Sequence, residues 1–181
     1  PEGKITWVYG CAERLLDEQG LTVGFMGTIT DITARKKAED ALRQSEERFR
    51  KYFELGLIGM AITSPDKGWV QVNDRLCDIL GYRREELKHK TWSELTYPDD
   101  LEADVVQFDR VLSGEIDQYS MDKRVIKKDG NVIYSSISVS CIRHPNGSVD
   151  YFVVLLQDIT DRKQAEEKLQ HVNQQLQISI E

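Results

Sequence analysis

The chain repeats itself. Shifted by 127 positions, residues 3–42 fall without a gap on residues 130–169. Gly3 and Gly20 meet Gly130 and Gly147, Phe25 meets Phe152, and Asp31-Ile32-Thr33 meets Asp158-Ile159-Thr160. Arg35, Lys36, Ala38, Glu39 and Leu42 then meet Arg162, Lys163, Ala165, Glu166 and Leu169. Between identities, apolar meets apolar: Ile5 with Val132, Trp7 with Tyr134, Ile29 with Leu156. One register shared by a tripeptide and a helix pattern implies two copies of one unit. Residues 1–33 read as the last third of a unit whose beginning is absent, and 56–160 as a complete copy. Residues 34–55 and 161–181 read as equivalent helical connectors, so a cut from a tandem array is expected.

Bulk properties narrow the class. Hydrophobic residues are 40% of the 181, enough for one core, and charged residues are 30%. The longest apolar run, Tyr151–Leu156, is far short of the roughly 20 residues of a membrane helix, and neither a membrane span nor a secretory leader is expected in this segment. Three cysteines, Cys11, Cys77 and Cys141, at wide spacings suit neither a disulfide framework nor a zinc site, so a cytoplasmic setting is expected. A net charge of -7 argues against nucleic acid. The basic pairs Lys123-Arg124 and Lys127-Lys128 are interleaved with acids and read as solvated surface.

The complete copy changes period along its length. Gly59–Thr63 and Trp69–Val72 read as a strand pair around the turn formers Ser64-Pro65-Asp66-Lys67-Gly68. Asn73 or Asp74 can cap a short helix carrying Leu76, Ile79 and Leu80, which Gly81 ends. Arg83–Lys88 reads as a second helical turn. A longer helix follows Pro98, with Asp99 or Asp100 as its cap and Val105, Phe108, Val111 and Leu112 as its apolar face. Three strands close the unit: Tyr119–Ile126, Ile133–Ile142 and Tyr151–Leu156. The last is apolar on both faces, which asks for cover on both sides by the core and by a connector or second subunit. An antiparallel sheet with helices on one face follows, an α+β arrangement.

In this order and spacing, several fragments resemble a PAS domain. They are Val72-Asn73, Leu80-Gly81-Tyr82 with Glu86-Leu87, Tyr97-Pro98-Asp99-Asp100, Lys128-Asp129-Gly130, and the exit Asp158-Ile159-Thr160-Asp161-Arg162-Lys163. The resemblance implies a five-stranded antiparallel sheet with short helices on one face, flanked by amphipathic connector helices, enclosing a small pocket. It also implies a parent such as a sensor histidine kinase or diguanylate cyclase, with the output domain in the same chain and a histidine kinase the first expectation.

The chemistry is sparse. Haem-binding members of that family use a histidine on the long helix, and Leu101–Ser113 holds none; His89, His144 and His171 read as surface. The photoactive flavin branch needs Gly-x-Asn-Cys-Arg where this chain has His89-Lys90-Thr91-Trp92-Ser93, which excludes thiol–flavin chemistry. Cys77 and Cys141 read as small core hydrophobes. No catalytic or metal-ligand constellation is present, so the segment itself is expected not to be an enzyme and its cofactor is a small metabolite or none. A pocket would be lined by Met60, Ile62, Leu76, Leu80, Trp92, Phe108, Val125, Ile137, Val139 and Val154, residues that describe a solid core equally well.

Transmission would run through the connectors. Ala38, Leu42 and Phe49 in the first, and Ala165, Leu169, Val172 and Leu176 in the second, share one heptad phase, which implies a homodimer through a parallel coil. Asp158, Ile159 and Thr160 sit where strand becomes helix, with Thr160 or Asp161 placed to cap it. The reading is a sensory and relay module, the alternative a ligand-free dimerisation and spacing module. The orphan hairpin of residues 1–33 is expected to be disordered, to pack on the neighbouring domain, or to pair with another chain.

Overall fold

The computed structural model describes residues 5–178, with side chains as far as residue 175. It divides into two units, residues 1–51 and 52–181.

The first unit is an antiparallel hairpin, β1 (Val8–Leu16) and β2 (Thr22–Asp31), running into a helix, α1 (Thr33–Glu54). The first four residues of the expected hairpin, 1–4, fall outside the described residues. The hairpin is ordered, and its residues are exposed almost throughout, including Phe25 and Ile29. This corrects the expectation of a disordered segment. The turn closes locally through Asp17 N–H to Leu21 O and Gly20 N–H to Asp17 O, so backbone bonding does not wait for tertiary burial. Along α1 the pairs Arg35–Glu39 and Arg43–Glu47 lie one helical turn apart. Ala38, Leu42 and Phe49 on the same helix are exposed.

The second unit holds a five-stranded antiparallel sheet in the order β4-β3-β7-β6-β5. Its strands are β3 (Gly59–Thr63), β4 (Trp69–Val72), β5 (Gln118–Ile126), β6 (Val132–Arg143) and β7 (Val149–Asp158). Between β4 and β5 lie α2 (Asp74–Leu80), α3 (Arg84–Leu87), α4 (Trp92–Leu95) and α5 (Pro98–Leu112), and α6 (Thr160–Ile178) leaves the sheet. The sheet's inward residues Ala61, Val125, Ile133, Ile137, Val139, Phe152 and Leu156 form one core with Leu76, Leu80, Leu87, Leu95, Phe108 and Val111 of the helices.

Local chemistry explains the helix ends. Asn73 is fully buried and uses its whole amide. Its Oδ1 accepts from Leu76 N–H, capping α2, and from Met60 N–H, while its Nδ2 donates to Phe53 O and Ile58 O. One side chain thus joins the end of α1, β3 and α2. Gly81 stops α2 at φ 76°, a left-handed position that glycine adopts without steric cost. The α4 turn, missed in the sequence, is set by a reciprocal box between Thr91 and Glu94. The cap expected of Asp99 or Asp100 is not made: Tyr97 occupies the cap position, and both acids lie in the first turn of α5. Asp100 instead receives Arg124 through its backbone N–H (2.7 Å), Nε (3.0 Å) and Nη2 (2.7 Å). Leu112 is exposed, and the buried face of α5 holds Asp104 with Phe108 and Val111.

Candidate ligand cavity

The concave side of the sheet and the short helices enclose a cavity of ≈ 30 Å³, room for one or two waters. Strand register decides what it meets. Ala61 pairs with Val154 and Thr63 with Phe152, which turns the odd positions of β3 inward and its even positions outward. Leu80, Trp92, Phe108, Val125, Ile137, Val139 and Val154 line the cavity. Met60 and Ile62 do not; they are half-buried on the opposite face of β3, a one-residue error of phase in a strand whose two faces are both apolar. Leu76 is buried but packs beneath Gly59, where an added Cβ would stand 2.8 Å from its Cδ1, and it does not reach the cavity. Trp92 meets Phe108 edge-on with centroids 5.1 Å apart, and Phe108 lies 4.6 Å from Phe152.

One end of the cavity is polar, and the sequence reading had missed it. Lys123 is 7% exposed and Asp104 1%, which corrects the assignment of Lys123 to solvated surface. The Lys123 ammonium donates to Asp104 Oδ2 and to Thr96 Oγ1 (2.8 Å), and Tyr119 Oη donates to Asp104 Oδ1 (2.8 Å). Its Nζ also lies 5.1 Å from the Trp92 ring centroid. Burial pushes the Lys123 ammonium below its usual range, and the Asp104 carboxylate opposes that shift. Burial, and then the charge of Asp104, raise the Tyr119 phenol. The missed signal was alternation. Tyr119, Lys123 and Val125 share one face of β5, and Leu101, Asp104, Phe108 and Val111 recur at helical spacing on α5. Two further polar atoms, Thr63 Oγ1 and Trp69 Nε1, are buried without a hydrogen-bond partner among the described residues, and both side chains line the cavity.

The exit junction is tied to the sheet. Ile159 N–H donates to Tyr134 O (2.9 Å), and Tyr134 N–H donates to Thr160 Oγ1 (3.0 Å). The Thr160 hydroxyl therefore serves the strand. The cap expected of Thr160 or Asp161 comes from Asp158 Oδ1, which accepts Thr160 N–H at 2.9 Å. Asp122, beside Lys123 on β5, pairs with Lys163 (3.5 Å) and Arg162 (3.8 Å) in the first turn of α6. Of the seam residues, Ala165, Leu169 and Val172 are exposed, and the Leu176 side chain lies outside the described residues.

The same junction is built twice. β1 and β2 pair Val8 with Asp31 through Leu16 with Thr22, and β6 and β7 pair Ser135 with Asp158 through Arg143 with Val149. The register shift recurs, at Leu15/Leu16 and at Ile142/Arg143. Trp7 N–H to Thr33 Oγ1 and Thr33 N–H to Asp31 Oδ1 repeat the bonds of Tyr134, Thr160 and Asp158 at the 127-residue offset. The sequence repeat is therefore a structural one.

His89, His144 and His171 are exposed, and none lines the cavity. Cys77 and Cys141 are half-buried against the core, and Cys11 is exposed. Among the described residues no cluster of acidic, histidine and cysteine side chains is placed to hold a metal ion, and no helix is long and apolar enough to cross a membrane.

Residues 70–156 match the family model described as PAS fold. The chain is 41% identical over 135 residues to a probable diguanylate cyclase, DgcE, of Escherichia coli K12, covering 75% of this chain and 12% of that protein. It is 26% identical over 136 residues to the sensor histidine kinase TmoS of Ectopseudomonas mendocina, covering 75% and 14%. The chain thus spans a small part of the curated relatives it matches. Among solved structures, a sensory box histidine kinase/response regulator from Burkholderia thailandensis superposes with a TM-score of 0.58 at 23% identity, covering 72% of this chain and 98% of that one. A PAS domain of an HTR-like protein from Haloarcula marismortui gives 0.57 at 21%, covering 68% and 99%. The five-stranded unit is a PAS domain.

Proposed function

We propose that this chain senses a small molecule in its cavity and relays the event through α6 to an output domain of the same cytoplasmic protein. The observation that carries this reading is one dipeptide. Lys123 faces the cavity and holds Asp104 and Thr96, while Asp122, its neighbour, grips Arg162 and Lys163 at the root of α6. A displacement of β5 at the cavity therefore biases the exit helix. The bistable element is the pitch or rotation of α6, biased through Asp158, Ile159 and Thr160. The output is a histidine kinase or a diguanylate cyclase, the activities named for the relatives above, and the catalytic work belongs to that domain. The hairpin of residues 1–33 is the end of a preceding PAS domain, because its register, bulge and junction copy those of β6 and β7. The exposed seams of α1 and α6 support a parallel homodimer.

A second reading has its own support. The cavity is small, and the Lys123–Asp104–Tyr119 cluster satisfies itself, as a ligand-free spacing module requires. Absorption spectroscopy of the freshly purified protein, with mass spectrometry of what denaturation releases, separates the two. A stoichiometric small molecule is the expected result; a clean protein favours the spacing module.

A further inference from the structure

Resting on the sensory reading, we infer that the cavity takes a compact, uncharged molecule with one hydrogen-bond acceptor oxygen on a small apolar body. Three observations converge. The Trp69 indole N–H can only donate, the Thr63 hydroxyl can donate, and neither has a partner among the described residues although Trp69 is 8% and Thr63 1% exposed. A buried donor left in this state costs on the order of its full desolvation penalty, so an acceptor oxygen is the chemistry the wall lacks. Asp104, by contrast, already accepts from Lys123 and Tyr119, so the site has little to offer a donor-only ligand.

Charge balance gives the second restriction. Lys123 and Asp104 neutralise each other inside the wall. The rest of the lining is overwhelmingly apolar: Leu80, Leu95, Phe108, Val125, Val154 and Leu156. A charged ligand would need its own counter-ion there, and burying it without one is costly. A further cation, Lys67, has its Nζ 5.5 Å from the Trp92 centroid, but it is half-buried and outside the cavity lining. A carboxylate is therefore the informative competitor. Size gives the third restriction: ≈ 30 Å³ is the room of one or two waters, so only a body of a few heavy atoms, admitted by a shift of the lining side chains, suits it, not a nucleotide or flavin ring.

The test uses three near-isosteric probes on the 181-residue chain: propan-2-one, 2-methylpropene under mild pressure, and acetate. The readout is the Trp69 indole N–H in a ¹⁵N–¹H correlation spectrum, assigned by its loss in Trp69→Phe. Propan-2-one is expected to move that signal saturably, with 2-methylpropene at least tenfold weaker and acetate without effect. In Trp69→Phe, propan-2-one affinity, followed at the Trp92 indole, is expected to fall at least tenfold; Thr63→Val is the milder second variant should the first fold poorly. Saturable acetate binding at the Trp69 signal overturns the charge assignment while leaving sensing intact. Equal binding of 2-methylpropene overturns the polar selection. A Trp69 signal unmoved by every probe, in a protein that also releases no small molecule on denaturation, overturns this inference and the sensory reading together.

Discussion

At the residue scale, the buried Lys123–Asp104 pair is the feature on which this cavity turns. Each charge is tolerable inside because the other is there and because Thr96 and Tyr119 fill remaining hydrogen-bond positions. Removing one partner strands the other. Asp104→Ala is expected to cost about 3–5 kcal/mol in urea unfolding, whereas Asp104→Leu combined with Lys123→Met is expected to recover most of that loss. A double variant as unstable as the single one would show that the pair is more than mutual neutralisation. A surface pair behaves differently. Glu86 takes two contacts from Lys128, at 2.7 and 2.8 Å, and one from Arg83 N–H. The Lys128 contact, first among these, holds the Glu86 carboxyl down to about 2 from 4.5. A lowered acid stabilises the fold above its ordinary value, and that contribution is lost as pH falls from 4.5 towards 2. Lys128→Met is expected to raise the Glu86 midpoint in a carboxyl NMR titration, and its stability deficit to shrink across that window; a midpoint that stays low would assign the effect to the Arg83 amide.

At the element scale, the exit of β7 is the joint to test. Three groups cooperate there: Asp158 caps, Thr160 returns its hydroxyl to Tyr134, and Ile159 is buried at 3%. Thr160→Val leaves the exposed Tyr134 N–H without its protein acceptor, and the loss of such a solvent-accessible hydrogen bond is worth about 0.5–1.5 kcal/mol. Faster hydrogen exchange at Tyr134 and in the first turn of α6 is the expected outcome, with exchange in α5 unchanged. Asp158→Ala keeps the strand but removes the cap, and in the full-length parent it is expected to uncouple input from output. Normal regulation by that variant would place the relay elsewhere. The ion pairs of Asp122 with Arg162 and Lys163 are exposed and worth about 0–1 kcal/mol each, so they bias α6 without locking it. A relay element needs that marginality.

At the scale of the whole molecule, the repeat explains an imbalance of burial. Phe152 and Leu156 are 0% and 4% exposed in the complete unit, while their equivalents Phe25 and Ile29 are 71% and 78% exposed. The same strands with the same register are core in one copy and surface in the other, because one has a sheet and helices to meet and the other does not. The connector seams are exposed too, with Leu42 at 61% and Leu169 at 62%. Leu42→Lys with Leu169→Lys is expected to convert a dimer to a monomer in sedimentation equilibrium without loss of helix content within the five-stranded unit. A chain that is monomeric before substitution would remove the coil from the proposal.

Local grammar was legible in the residues themselves. Asn73 before an apolar helix, Gly81 after it, the turn at Asp129-Gly130, and the alternation of Ile137, Val139 and Cys141 act over a few positions, and their conformational preferences are intrinsic to the residue types. The repeat was legible for the same reason, since equal sequences build equal hairpins. The polar end of the cavity was decided by tertiary structure. Whether Met60 or Ala61 turns inward depends on the pairing of β3 with β7, and both phases of that strand are apolar enough to bury. Whether a lysine in Asp122-Lys123-Arg124 is solvated or enclosed depends on an aspartate 19 residues away on α5. A charge enters a core only when its partner arrives with it, and that meeting is a property of packed elements rather than of either segment.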